Sequence, residues 1–171
     1  MMLYLASNTR PDISFAVHQC ARFTHNTKVS HEKAVKRICR YLQGTKDNGL
    51  VFNPSKELVV DCYADEDFAG MWGHEDPQDP ICARSRTGFV VNFANCPLLW
   101  MSKLQTYIGL STLHSEYVEL SNSVRALLPL KSLIKEVIIN LGIYSEKLKF
   151  VSSSAVYEYN NGAIVVGKIQ G

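Results

Sequence analysis

The residues with the most chemistry in them lie in the stretch 58–69, LVVDCYADEDFA, a run of strand-forming side chains interrupted by acids. Strict alternation places Leu58, Val60, Cys62 and Ala64 on one face and Val59, Asp61, Tyr63 and Asp65 on the other. Asp61 and Asp65 therefore share a face. A carboxylate on a half-buried strand is costly to desolvate unless something positive meets it, so a basic partner or a divalent cation is expected near Asp65. The alternative is an acid that simply ends a strand in solvent. Glu116 stands beside Tyr117 in a long helical pattern, either as a partner of the acidic strand or as a rim residue. Lys33, Lys36, Arg37 and Arg40 recur at helical spacing and form a basic strip, which reads first as a solvated face and second as a surface for a phosphate backbone. His74, Glu75, Asp76, Asp79 and Cys82 cluster without a known ligand spacing among two prolines, so a surface loop is expected there.

These groups need a scaffold, and the pattern around them supplies one. Pro11 and Asp12 open a first helix whose apolar positions Ile13, Ala16, Val17, Cys20 and Phe23 keep helical spacing. Ser30 is the expected N-cap of a second helix with Ala34, Val35, Ile38, Tyr41 and Leu42 as its stripe, ended by Gly44. Residues 45–57 read as a linker or small hairpin, with a domain boundary near Gly49. The acidic strand follows, then a long Gly-, Pro- and Asp-rich connection. The runs 87–94 and 97–103 form a hairpin turning at Asn95-Cys96, so that three strands make a meander. A helix starting at Ser111 carries Leu113, Tyr117, Leu120, Val124, Leu127 and Leu128 as its stripe. Pro129 breaks or kinks it, and a second segment runs to Leu141 and Gly142. Residues 147–159 form a fourth strand, reached through a crossover helix and hence parallel to the first, and Asn160 caps a short last helix.

Composition narrows the class. The chain has 171 residues, 18 basic against 16 acidic, and a net charge of +2, so nucleic-acid affinity would have to come from local patches. Five cysteines with no C-x-x-C pair argue against a disulfide framework and against a zinc ribbon. No run approaches the ~20 apolar residues of a membrane span, and the N-terminus lacks a signal-peptide pattern.

Read together, YLASNTRPDISFAV, HEKAVKRICRYLQGT, YADEDFAG, SRTGFVV, LLWMSKLQ, STLHSEYVELS and EYNNGAI resemble the C-terminal part of a copia-type retrotransposon Pol polyprotein. The resemblance implies residues 1–48 as a helical fragment of the reverse transcriptase thumb and connection. It implies 49–171 as a ribonuclease H-like α/β domain: an antiparallel three-stranded meander, a helix and an added parallel strand, truncated at the C-terminus. It further implies cleavage of the RNA strand of an RNA:DNA hybrid with Mg²⁺ or Mn²⁺, Asp65 and Glu116 as catalytic metal ligands, and Lys33, Lys36, Arg37 and Arg40 on the nucleic acid. The expected partners are the hybrid and the rest of a Pol polyprotein, with no small-molecule cofactor and no membrane. The expected location is the cytoplasm, in virus-like particles for intact relatives, or the nucleus.

Two departures stand out. The family's third catalytic aspartate, in an E-D-N motif, is Tyr159 here in Glu158-Tyr159-Asn160, and a fourth acid would lie beyond Gly171. Two ions roughly 4 Å apart, one activating water and one stabilising the leaving oxygen, need more negative charge than two carboxylates bring, so metal binding is expected to be weakened. No Tyr-x-Asp-Asp polymerase motif occurs, so no polymerase activity is expected of this stretch.

Overall fold

The computed structural model describes residues 1–73, 78–142 and 154–157. They divide into two compact units, Met1–Val51 with Met101–Lys103, and Phe52–Trp100 with the described residues from Leu104 onward.

The first unit is helical: α1 (Met2–Asn8), a 3-10 turn at Pro11–Ile13, α2 (Ser14–Ala21) and α3 (Val29–Gly44). Its core is small. Ala6, Ile13, Val17 and Ile38 are buried, with Met2, Leu5, Ala16, Cys20 and Leu42 packed against them. The expected single helix from Pro11 is instead a tight turn followed by α2, and α1 was not anticipated. A seven-residue helix has little intrinsic stability, so α1 exists because Leu5 and Ala6 contribute to that core. At the start of α3 the cap is Lys28 rather than Ser30. The Lys28 backbone N–H donates to His31 Nδ1 at 3.0 Å, and the His31 ring stacks on Phe23 with centroids 4.2 Å apart.

Arg10 ties this unit together. Its guanidinium donates to both Asp12 carboxylate oxygens at 2.9 and 2.7 Å, and to the Thr45 carbonyl and hydroxyl at 3.0 and 2.8 Å. The Tyr41 hydroxyl adds a bond to Asp12 at 2.9 Å. That pairing, from Arg10 above all, holds the Asp12 carboxyl below the usual carboxylate range.

The second unit is α/β, with a mixed four-stranded sheet in the order β3-β2-β1-β4. Strand β1 (Val60–Asp67) pairs antiparallel with β2 (Arg86–Phe93) and parallel with β4 (Ser154–Tyr157), and β3 (Cys96–Leu104) lies outside β2. The meander and the parallel fourth strand follow the expected order, an arrangement consistent with a ribonuclease H-like fold. The β2–β3 turn sits at Ala94-Asn95, with φ of 50° and 65°, one residue before the position expected from sequence. Two consecutive left-handed residues match the right-handed twist of the flanking strands.

Helix α4 (Thr112–Asn140) crosses one face of the sheet and differs from expectation in two ways. It runs through Pro129 without a break. Pro129 is exposed, so the Arg125 carbonyl, which loses its intrahelical donor, is open to water. The helix also buries a different face. Ser115, Glu119, Ser123, Leu127, Ile134 and Ile138 point inward, while Leu113 and Leu128 are exposed. Residues Cys62 and Ala64 make the facing surface of β1 small, and a row of serines lets the helix backbone come close to it.

Candidate functional site

Alternation along β1 is as the sequence implies: Val60, Cys62 and Ala64 are buried against α4, while Tyr63 and Asp65 are exposed on the opposite face. That open face carries a stacked pair, Tyr63 and Tyr157, with ring centroids 4.8 Å apart and planes 12° from parallel. Asp65 therefore sits at the end of β1 on the solvent side.

The same two-residue period carries Glu66 to the inner face. Both of its carboxylate oxygens are shut off from solvent and make no well-formed hydrogen bond, although the Ser85 hydroxyl is close enough to favour the charged form. Burial, then the nearby charges of Glu116, Asp67 and Asp65, push the Glu66 carboxyl up to about 7. Glu66 is the acid that the sequence reading passed over. Its parity with Cys62 and Ala64 was the available signal. Glu116, half-buried in the second turn of α4, is the group on the facing element that acts on Glu66. One helical turn further on, Glu119 is fully buried and faces Cys62, whose thiol is raised to about 11 by burial first and by Glu119 second.

The chain beyond β1 is shaped around these acids. Ala69 adopts a left-handed conformation with φ 49°, and a Cβ on Gly70 would stand 2.0 Å from the Asp67 carboxylate. Only glycine leaves room for Asp67 to fold back there.

The donor set is all carboxylate oxygen, the chemistry a hard divalent ion takes, and the crowding of like charge at Glu66 is what a cation would relieve. Asp65 faces away from α4, so of the expected pair only Glu116 lies with Glu66 on the inner side of the sheet, where a single ion fits between them. A full two-ion centre does not, since among the described residues no group of three or more His, Cys, Asp or Glu side chains converges to hold a metal.

Lys33, Lys36, Arg37 and Arg40 are all exposed on α3, at positions that share a face. Lys36 is paired with Glu32 one turn earlier, and Arg37 lines a groove of about 440 Å³ between α2 and α3. The strip therefore keeps much of its positive charge in solvent. Tyr159 and its neighbours Glu158 and Asn160 lie outside the described residues, as do His74, Glu75 and Asp76, the fourth strand outside 154–157, and the last helix.

Sequence comparison supplies the decisive observation. The chain is 36% identical over 138 residues to the retrovirus-related Pol polyprotein from transposon RE1 of Arabidopsis thaliana, covering 81% of this chain and 9% of that protein. It is 35% identical over 136 residues to the corresponding polyprotein from transposon TNT 1-94 of Nicotiana tabacum, 80% of this chain and 10% of the relative. Over about four fifths of its length the chain is thus similar to a segment of retrovirus-related Pol polyproteins of transposons. It spans about a tenth of the length of these Pol relatives. A further relative, secreted RxLR effector protein 161 of Plasmopara viticola, is 32% identical over 124 residues, which cover 72% of this chain and 82% of that protein. No family model matches the chain, and no solved structure matches it.

Proposed function

We propose that this chain is a ribonuclease H-like module of a retrotransposon Pol polyprotein, directed at the RNA strand of RNA:DNA hybrids and impaired in hydrolysis. The observation that carries the reading is the meeting of two shielded carboxylates from different elements, Glu66 at the end of β1 and Glu116 on α4, with the charges of Glu116, Asp67 and Asp65 all acting on Glu66. Such crowding lowers stability and is of use where a cation is to be held.

In this reading Glu66 and Glu116 would hold one divalent ion, Mg²⁺ or Mn²⁺, with Asp65 adding negative charge from the end of the same strand. The ion, when bound, activates a water molecule and stabilises the charge on the leaving 3'-oxygen. The two carboxylates would be its protein ligands, the few that Mg²⁺ commonly takes. Lys33, Lys36, Arg37 and Arg40 grip the sugar-phosphate backbone by charge alone, so they add affinity without sequence preference. Tyr159 brings a neutral phenol to the position of a charged ligand, which is the source of the impairment. The location that goes with this role is the cytoplasm or nucleus, wherever reverse transcription of the element takes place.

The test is Mg²⁺-dependent cleavage of an end-labelled RNA:DNA hybrid by wild type, Asp65→Asn and Tyr159→Asp, each verified as folded. Wild type is expected to cleave weakly, Asp65→Asn not at all, and Tyr159→Asp at least tenfold faster than wild type. Silence from all three, with salt-sensitive hybrid binding retained, would replace the enzyme reading by a binding module.

A further inference from the structure

Beneath the acids of β1, a buried polar network joins four segments of the second unit. Ser85 and Ser115 have no exposed surface, Thr87 has 2% and Gln105 has 5%. The Ser85 hydroxyl donates to Ser115 Oγ at 3.0 Å, and the Ala69 N–H reaches Ser85 Oγ at 3.4 Å. Gln105, just past the end of β3, spans the gap. Its backbone N–H donates to the Ser85 carbonyl at 2.9 Å, and its side-chain Nε2 donates to the Ser115 carbonyl at 3.0 Å and to Thr87 Oγ1 at 3.3 Å. The amide can point only one way, because a carbonyl oxygen accepts and never donates.

Two details separate this arrangement from ordinary core packing. The Gln105 Oε1 is buried and makes no hydrogen bond among the described residues. Methionine, of similar length and apolar, would fill the space without stranding an oxygen, so stability alone does not call for glutamine. Gly109 in the β3–α4 connection lies so close that a Cβ there would stand 1.8 Å from Ser115 Oγ. The connection is pressed onto the first turn of α4 on the side where Gln105 holds it.

Ser115 precedes Glu116, and adjacent Cα atoms are separated by a fixed ~3.8 Å. A clamp on the carbonyl of residue 115 thus sets both the rotation and the height of the turn that carries Glu116. We propose that Gln105 is a positioning residue: by holding the Ser115 carbonyl it fixes where the Glu116 carboxylate meets the acids at the end of β1. The inference rests on the reading above that Glu66 and Glu116 hold a divalent cation. Groups that orient a metal ligand without touching the metal typically change affinity by about 10–100-fold when removed.

The experiment is Mn²⁺ titration of the full chain, with free Mn²⁺ followed by electron paramagnetic resonance. It compares wild type, Gln105→Met, Glu116→Gln and the Gln105→Met/Glu116→Gln double variant, with Glu66→Gln/Glu116→Gln as the blank. Gln105→Met is expected to weaken Mn²⁺ binding about tenfold, and to have no further effect once Glu116 is already glutamine. Unchanged affinity in Gln105→Met, or an equal loss with and without Glu116, would overturn the positioning role and leave the metal site standing. Wild-type binding no tighter than the blank would overturn the metal site and the positioning role together. Should Gln105→Met fail to fold, Thr87→Val, which removes the other side-chain acceptor that holds the Gln105 amide, takes its place under the same criteria.

Discussion

Arg10 in the helical unit and Glu66 at the end of β1 are both chargeable side chains drawn out of solvent, and they are met in opposite ways. Arg10 donates to Asp12 at two oxygens and to Thr45 at two more, with the Tyr41 ring 5.7 Å from its guanidinium carbon. Glu66 finds one hydroxyl nearby and three carboxylates. A satisfied buried charge fixes a structure, whereas an unsatisfied one keeps its free energy available for a ligand. The difference separates a brace from a site, although both are built from the same residue types.

The strongest way to break this comparison is to remove the brace. Arg10→Ala leaves Asp12 with the Tyr41 hydroxyl and water, takes the guanidinium donor from the Thr45 carbonyl, and is expected to cost about 1–2 kcal/mol, read as a lower urea midpoint by circular dichroism. A loss below about 0.5 kcal/mol would put Arg10 among ordinary surface residues.

Glu66→Gln should act in the other direction. The native state holds the Glu66 proton up to a pH of about 7, while the unfolded chain releases it near 4.5. Native stability is therefore eroded as pH rises from 4.5 to 7, and the erosion is complete above 7. In chelator, the variant is expected to melt a few degrees higher than wild type at pH 8 and at the same temperature at pH 4. A variant less stable than wild type at pH 8 would mean that Glu66 is well paired.

Ala94→Gly touches neither group and sharpens the comparison as a control. Alanine at φ 50° in the β2–β3 turn carries the left-handed penalty, but its methyl group is buried, so glycine is expected to shift the stability of the sheet unit by less than about 1 kcal/mol, with no dependence on pH between 4 and 8. Thermal melts at the two pH values give the answer.

How much of this was legible in the sequence depends on what each residue faces. Alternation along β1 could be read because period two leaves no freedom: once Val60 and Cys62 face inward, Asp65 must face out and Glu66 in. The face of α4 could not be read. An apolar stripe through Leu113, Tyr117 and Leu120 is a fair sign of a core, but the small facing side chains of β1 drew in Ser115, Glu119 and Ser123 instead. Packing distance decided between the two, and periodicity carries no information about it. Pro129 misled because its cost depends on whether the orphaned carbonyl reaches water, which is a matter of exposure. Helix α1 was hidden for a similar reason: seven residues without a charged cap announce nothing until Ala6 has a core to enter. The acids Asp65 and Glu116 were picked out through family motifs, whereas the Gln105 network depends on four segments meeting and leaves no local trace.

The parallel pairing of β1 with β4 also sets a schedule. β1 is central, and among the described residues its second edge is closed by 154–157, roughly ninety positions later in the chain. At about 5–20 residues per second, a ribosome leaves that edge open for on the order of five to twenty seconds after β1 has emerged, with β2, β3 and α4 already able to assemble around it. Through that interval the nascent protein displays an unpaired strand edge running past Val60 and Cys62, a template for pairing with another copy on a neighbouring ribosome. Yield in the cell is therefore expected to depend on how slowly and how far apart these chains are made, before any question of metal or substrate arises.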